Sequence, residues 1–253
     1  MQYYNEGVQF AQFDRYGKAI VSYDMAIAIN PKFFEALYKR GTALDNLGRH
    51  PEALASYDKA IAINPKFFEA LYKRGTALDN LGRYHEAIAS YDKAIAINSN
   101  CAEPWKKRGV ALDHLGLHAE AVDSYEKAIA INPNYAEAWK NRGVALWNLG
   151  RYPEALASCD KAIALNPKDA EVWNIHGLTL DKLGHYTKAV ASFDKAIVIK
   201  TDFADAWDNR GIALGELCRY TEAITSFDKA IAICPDHADA KRNRKIAIRK
   251  NTG

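Results

Sequence analysis

Long apolar runs are missing from this sequence. Apolar stretches such as residues 26–29 end within one helical turn at Asp, Lys or Asn, whereas a membrane-spanning helix needs about 18 or more mainly apolar residues. The first residues, Met-Gln-Tyr-Tyr-Asn-Glu, also lack the basic and apolar segments of a secretory signal peptide. We therefore expect a cytoplasmic protein that does not bind membranes.

Patterned cysteines are also missing. The chain has four cysteines and no CxxC pair: Cys101, Cys159, Cys218 and Cys234. Zinc sites and disulfide frameworks depend on regularly spaced cysteines, so we interpret these residues as thiols that fill apolar slots. His114 and His118 lie four residues apart, but residues 115–116 interrupt the helix between them. No metal site is expected.

The sequence contains none of the short motifs that mark common active sites. It has no GxGxxG or GxxxxGK[ST] loop for phosphates, no GxSxG nucleophile and no HExxH helix for zinc. Its carboxylates recur at regular intervals, as solvated or ligand-facing positions do, and form no single distinctive pair. We expect no catalytic activity and no cofactor.

An excess of positive charge is confined to the C-terminal end. The whole chain has a net charge of +3, but residues 238–253 alone carry +5, because six Lys or Arg residues there face one Asp. The remaining residues are therefore close to neutral, unlike the basic surface of a typical nucleic-acid-binding protein. No aromatic residue is interspersed with the basic residues of the tail for base stacking. We expect no nucleic-acid partner.

What the sequence does contain is a period of 34 residues. Three sets of small residues recur at this interval in one register. The glycines are Gly7, Gly41, Gly75, Gly109, Gly143, Gly177 and Gly211. The alanines are Ala19, Ala53, Ala87, Ala121, Ala155, Ala189 and Ala223, and then Ala26, Ala60, Ala94, Ala128, Ala162, Ala196 and Ala230. Such a period predicts an array of stacked helical units instead of one globular core.

Each period predicts two helices joined by a short turn. In residues 136–169 the first segment carries apolar or small residues at helical spacing: Trp139, Gly143, Leu146 and Leu149. Gly150 ends this helix, because glycine readily adopts the left-handed conformation of a helix C-terminus. Pro153 suits the first turn of the next helix, and residues 166–167, Asn-Pro, end it. Gly143 lies within the first helix, where close approach of the second helix is expected to compensate its low helix propensity.

This pattern resembles the tetratricopeptide repeat family. With residues 34, 68, 102, 136, 170 and 204 as first positions, the family pattern is Trp, Leu, Gly, Tyr, Ala, Phe, Ala and Pro at positions 4, 7, 8, 11, 20, 24, 27 and 32. The matches in the fifth unit are Trp139, Gly143, Ala155, Ala162 and Pro167. The departures are Arg142, Leu146 and Cys159.

The resemblance implies an all-α fold, a right-handed α-solenoid or superhelix of seven helix-turn-helix units. The units are expected at residues 1–33, 34–67, 68–101, 102–135, 136–169, 170–203 and 204–237. Residues 238–253 are expected to form a basic capping helix and tail. The first hairpin has no preceding cap, and its apolar residues are expected to form an exposed edge: Tyr3, Val8, Phe10 and Phe13.

The resemblance further implies that the first helices line a concave groove, with positions 2, 5, 6, 9, 12 and 13 facing a ligand. In units two to four, Glu at position 2 is expected to pair with Lys at position 6, as in Glu35 with Lys39. From the fifth unit this lysine disappears, so the acids there are expected to be unpaired. The candidate peptide-binding residues are Glu137, Lys140, Asn141, Val144, Trp147, Asn148, Glu171, Asn174, Asp205 and Asn209. Trp147 is the main contact candidate, with packing beneath a neighbouring hairpin as its structural alternative.

The expected function is a non-catalytic scaffold that holds a peptide or protein segment. The groove positions carry twelve Asp or Glu and six Lys, so a basic or neutral partner is favoured. Position 9 holds Val, Thr, Leu or Ile, which disfavours the carboxylate clamp by which some family members bind acidic chaperone tails. Two alternatives stay open: self-association through the first hairpin, and a targeting region of a larger enzyme.

Overall fold

A computed structural model describes residues 1–252, which form fifteen helices and no strand. The helices are α1 (Gln2–Gln12), α2 (Tyr16–Ile29), α3 (Phe34–Asn46), α4 (His50–Ile63), α5 (Phe68–Asn80), α6 (Tyr84–Ile97), α7 (Ala102–His114), α8 (His118–Ile131), α9 (Ala136–Asn148), α10 (Tyr152–Leu165), α11 (Ala170–Lys182), α12 (Tyr186–Ile199), α13 (Ala204–Glu216), α14 (Tyr220–Ile233) and α15 (Ala238–Thr252). None of these helices combines the length and the apolar character that a membrane span requires.

The helices form two compact units, residues 1–132 and residues 133–252. In each unit, consecutive helices pair as hairpins, and the second helix of a hairpin also packs on the first helix of the next. In residues 133–252, for example, α10 packs on α9 and α11, and α12 packs on α11 and α13. The predicted α-solenoid of seven hairpins followed by a last helix is confirmed, since within each unit the hairpins bury the apolar faces of their neighbours.

The predicted helix boundaries are confirmed at the turns. Gly150 follows α9 with a φ of +73°, and Pro153 lies in the first turn of α10. The last hairpin has Cys218 at the equivalent turn position with a φ of +58°, and its side chain is exposed. The expectation of buried thiols therefore holds for Cys159, where burial raises the pKa to about 12, and is wrong for Cys218 and Cys234.

The glycine of each first helix lies against an aromatic ring or a thiol of the second helix. A Cβ atom added to Gly177 would lie 2.5 Å from the Phe193 ring, closer than a carbon contact allows. At Gly143 the neighbour is Cys159, whose Sγ would lie 3.1 Å from the added atom. The close approach of the two helices is confirmed, and it explains why glycine occupies a helix interior.

A buried polar contact links successive hairpins. Arg210 on α13 donates to Ser226 Oγ on α14 at 2.7 Å and to Asp194 Oδ1 on the preceding α12 at 2.6 Å. Ser226 is fully buried, and its own hydroxyl donates to Glu222 O. Equivalent contacts recur at Arg40, Arg74 and Arg108. This contact, which ties three helices together, was not predicted from the sequence.

His176 replaces the linking arginine in one hairpin. Its Nδ1 lies 2.9 Å from Ser192 Oγ and its Nε2 lies 3.1 Å from Asp160 Oδ1. Burial lowers the pKa of His176, although Asp160 opposes this shift. The folded state therefore binds the proton less readily than the unfolded chain, so the stabilisation is fully present above about pH 6.5. It is lost as the pH falls through the folded pKa.

We expect His176→Arg to make the free energy of unfolding less dependent on pH between pH 7 and pH 5, and to raise it at pH 5. Arginine stays charged and can donate to both Asp160 and Ser192. Urea unfolding at a series of pH values measures this. The control is His185→Arg, which makes the same change at an exposed residue just before α12. Parallel profiles for wild type and His176→Arg would contradict the assignment.

The two ends of the described chain differ. In α15, Ala240 and Ala247 are buried, while Lys241 and Lys245 are exposed. At the other end, Phe13 is 75% exposed, but Val8 and Phe10 pack against the core of the first hairpins. The expected apolar edge is therefore smaller in α1 than predicted, but it continues onto α2 through other exposed side chains: Val21, Met25 and Ile29.

Candidate functional site

All ten candidate residues lie on α9, α11 and α13, within residues 133–252. In this unit each first helix contacts the next, from α9 to α11, α13 and α15. We call the residues at positions 2, 5, 6, 9, 12 and 13 of these four helices the first-helix surface. Sequence spacing alone does not show which side chains of this surface touch. Side chains that are neighbours on the surface come from successive hairpins, about one repeat apart in the chain.

Lys140 joins α9 to the start of α11. Its Nζ lies 3.0 Å from Glu171 Oε2 and 3.2 Å from Asp169 Oδ2. Asp169 also accepts from the backbone N–H of Glu171 and Val172, and so caps α11. Burial alone would lower the pKa of Lys140, but the hydrogen bonds to Glu171 and Asp169 raise it above its ordinary value. The prediction that Glu171 is unpaired is wrong, because its partner comes from the preceding hairpin.

Amide side chains connect the next two helices. Asn209 Nδ2 on α13 donates to Asn174 Oδ1 on α11 at 3.1 Å, and Asn174 is 9% exposed. One hairpin further, Asn243 Nδ2 on α15 donates to Asp208 Oδ1 on α13 at 3.2 Å. Burial raises the pKa of Asp208, although this hydrogen bond opposes the shift. The same two repeat positions thus link successive first helices, and sequence analysis missed Asp208 and Asn243.

The charge pairing expected at position 2 is wrong in both halves. Asp205 Oδ1 lies 3.3 Å from His237 Nε2, a side chain outside its own helix. Among the described residues, Glu35 forms no ion pair with Lys39, and the Lys39 ammonium instead lies 5.7 Å from the centroid of the Tyr38 ring. Position 2 is therefore not self-paired through position 6 of the same helix.

Three candidates on α9 have side chains open to solvent in part. Asn141 and Val144 are half-buried and Asn148 is exposed. Within the part of the chain that the structure describes, Asn141 and Asn148 make no side-chain hydrogen bond to another residue. Glu137, at the start of the same helix, is also exposed. This stretch of the surface offers solvent-accessible amide groups beside a charged edge.

Trp147 lies at position 12 and is half-buried. Its indole ring meets the Tyr152 ring edge to face at 6.3 Å between centroids. The indole Nε1 is buried and has no hydrogen-bond partner among the described residues. Buried indole N–H groups usually have a partner. Trp147 remains a contact candidate with part of its ring packed against the hairpin.

Position 12 is coupled to position 24 of the same hairpin. Asp45 Oδ2 accepts from the Tyr57 hydroxyl at 2.7 Å, and Asp113 Oδ2 accepts from the Tyr125 hydroxyl at the same distance. In these two hairpins the side chain at position 12 therefore lies at the hydroxyl end of the ring at position 24. In the fifth hairpin these positions hold Trp147 and Cys159, so a large residue at one position accompanies a small residue at the other.

The described residues include no group of three His, Cys, Asp or Glu side chains arranged to hold a metal ion.

Four family models match the chain, and each is described as a tetratricopeptide repeat. The matched ranges are residues 34–67 and 136–169, residues 72–136, residues 204–237, and residues 158–191. The chain belongs to the tetratricopeptide repeat family. Its departure from the family pattern at position 7 now has a structural reason. Most of these tetratricopeptide repeats replace the leucine there by the arginine that links three helices, as Arg210 does.

Solved structures of other tetratricopeptide repeat proteins share this fold. YrrB, described as having an unusual peptide-binding site, is 27% identical with a TM-score of 0.66, and the match covers 75% of this chain and 97% of YrrB. MamA is 28% identical with a TM-score of 0.62, covering 65% of this chain and 96% of MamA. The C-terminal part of a repeat protein from Cytophaga hutchinsonii has a TM-score of 0.78 at 15% identity, covering 95% and 98%. No curated protein matches the chain.

Proposed function

We propose that this chain is a protein-interaction scaffold that binds a peptide or an extended protein segment along the first-helix surface of residues 133–252. The observation that carries the proposal is the hydrogen bond from Asn209 to Asn174. It holds two amide groups from successive helices in one orientation. Each amide retains donors or acceptors that can meet the backbone of an extended peptide.

The side chains around these amides support the same function. Asn141 lies on the preceding first helix and makes no hydrogen bond among the described residues, so it can extend the row of amides. Trp147 adds a partly exposed aromatic ring, and tryptophan is enriched among residues that dominate binding energy.

The charge of the surface favours a basic or neutral segment along α9, α11 and α13. Glu137, Glu171 and Asp205 are all exposed, and a carboxylate beside Lys140 or His237 still contributes its negative charge to the local field. YrrB, which is similar in sequence and fold, is described as having a peptide-binding site. That likeness supports peptide binding but identifies no partner for this chain.

We expect Asn209→Ala and Trp147→Ala each to lower the affinity for a bound peptide about tenfold. This loss corresponds to about 1.4 kcal/mol of binding free energy. The peptide is one selected on the wild-type protein from a display library of randomised 12-residue peptides, and calorimetry measures its affinity. Lys161→Ala is the control, because Lys161 is exposed on α10, a second helix. Equal affinities for wild type, Asn209→Ala and Trp147→Ala would contradict the proposed site.

A further inference from the structure

A cleft of about 180 Å³ opens between α13, α14 and α15. It lies on the first-helix surface beyond the candidate residues. Its floor and walls combine polar groups with side chains that are apolar or aromatic: Ile212, Tyr220, Phe227, Ile246 and Ala247. Ile212 is 36% exposed and Ile246 is 45% exposed. A cavity of about 150 Å³ has room for benzene, so a cleft of this volume has room for an aromatic or branched aliphatic side chain.

The cleft is open because Gly215 has no side chain. Gly215 lies in α13, and a Cβ atom added to it would meet nothing within 4 Å. By contrast, the neighbouring Gly211 packs directly against the Phe227 ring. This contact explains why glycine recurs at its position in the repeat. Glycine within a helix costs about 1 kcal/mol relative to alanine. Packing among the described residues does not offset this cost at Gly215.

Gly215 stands at position 12, whose side chain lies at the hydroxyl end of the ring at position 24 in the second and fourth hairpins. Asp45 accepts from Tyr57 in this arrangement, and Phe227 is the residue equivalent to Tyr57. The other large residues at position 12 are Asp79, Asp113, Trp147 and Asp181. A side chain of this kind at residue 215 would cover the floor of the cleft. The small residue therefore leaves the buried Phe227 ring and the half-buried Tyr220 ring as the lining of a cleft on the first-helix surface.

The first hairpin provides an independent example. It has Ala11 at position 12, and a cleft of about 300 Å³ lies between α1, α2 and α3. Tyr16 and Tyr23 line this cleft at the positions that Tyr220 and Phe227 occupy in the last hairpin. A cleft thus occurs beside a small residue at position 12 in both the first and the last hairpin.

The rim of the C-terminal cleft carries positive charge from α15. Lys250 lines the cleft, and its ammonium group lies 5.9 Å from the centroid of the Tyr220 ring. Arg249 precedes it and is exposed. On the α13 side the rim carries Glu216, so the two edges have opposite charges. A ligand with a carboxylate toward α15 complements this distribution.

We propose that this cleft binds an aromatic or branched aliphatic side chain of the peptide partner, with an acidic residue beside it toward Lys250. The inference rests on the proposed function and extends it by one specificity-determining pocket. The basic or neutral part of the peptide then lies along α9, α11 and α13, where the surface is acidic. Gly215 determines specificity here by leaving the pocket unfilled.

A small-molecule probe tests the cleft without a known peptide. In methyl NMR spectra of the wild type, 3-phenylpropionate is expected to shift the methyl signals of Ile212 and Ile246. The amine 3-phenylpropylamine is expected to need at least about tenfold higher concentration to produce the same shifts. Gly215→Leu fills the cleft without adding charge and abolishes these shifts. Ala11→Leu, the matched change in the first hairpin, preserves them. Absent shifts in the wild type, or equal shifts in Gly215→Leu, would overturn the proposal.

Peptide selection separates this inference from the function on which it rests. Selection of randomised 12-residue peptides on the wild type is expected to enrich an aromatic or aliphatic residue beside an acidic one, and Gly215→Leu to lose this pair but keep the remaining preferences. Enrichment of the same pair on both proteins would overturn the proposed pocket but not the proposed function. No enrichment on either protein would overturn the proposed function. If Gly215→Leu instead changes the sedimentation coefficient and not the selected peptides, a second copy of the chain occupies the cleft.

Discussion

Replacing Gly177 by alanine is expected to lower the free energy of unfolding by about 2 kcal/mol. The added Cβ would lie 2.5 Å from the Phe193 ring, and Phe193 is fully buried, so ring and backbone must both move. Overpacking of this kind costs about 1 to 3 kcal/mol or more. The better helix propensity of alanine offsets at most about 1 kcal/mol. Urea unfolding measures the difference.

Gly143→Ala is the matched control, because it makes the same change at the same repeat position. Its nearest neighbour is Cys159 Sγ, 3.1 Å from the added atom, and a thiol needs to move by only a few tenths of an ångström. We expect the free energy of unfolding to change by less than about 0.5 kcal/mol, since strain and helix propensity nearly cancel. Equal losses in Gly143→Ala and Gly177→Ala would show that the aromatic ring is not the cause.

Arg210→Ala is the second substitution with a large expected effect, a loss of about 2 kcal/mol. It removes a charge-assisted hydrogen bond to Ser226, which is fully buried, and bonds of this class contribute about 1.5 to 3 kcal/mol. The bond to Asp194 adds less, because that carboxylate is half exposed. The guanidinium also lies 5.8 Å from the centroid of the Trp207 ring, so packing is lost as well.

Arg219→Ala provides the comparison within the same hairpin. Arg219 makes a two-bond ion pair with Glu222 at 2.7 Å for each bond, but both side chains are about half exposed. Exposed pairs contribute little, because water and salt screen them. We therefore expect Arg219→Ala to leave the unfolding midpoint close to that of the wild type. A loss as large as that of Arg210→Ala would mean that burial does not determine the strength of these contacts.

The helical hairpins were predictable because their signals are local. Gly150 and Pro153 lie next to the helix ends that they determine, and the structure confirms both. The spacing of apolar residues along the chain likewise predicts which face of each helix is buried. The link at position 7 was not predictable in this way, since Arg210 and its two partners lie on three different helices.

The candidate surface was predictable only in part. The resemblance placed the ten candidate residues on first helices, and the structure finds them there, but their binding role remains a prediction. Their pairing was predicted wrongly at Glu171, because its partner Lys140 belongs to the preceding hairpin. Asp208 was missed for the same reason, since its hydrogen bond comes from Asn243 on the following helix.

Taken by itself, the sequence determined the period, the hairpins and the family, because those features follow from residues within one repeat. The tertiary structure decided which polar groups meet and where the surface is open. Gly215 shows the difference: in the sequence it is one more helical glycine, but above Phe227 its missing side chain leaves a cleft. Such features depend on residues that come together only when helices pack, so no local pattern reveals them.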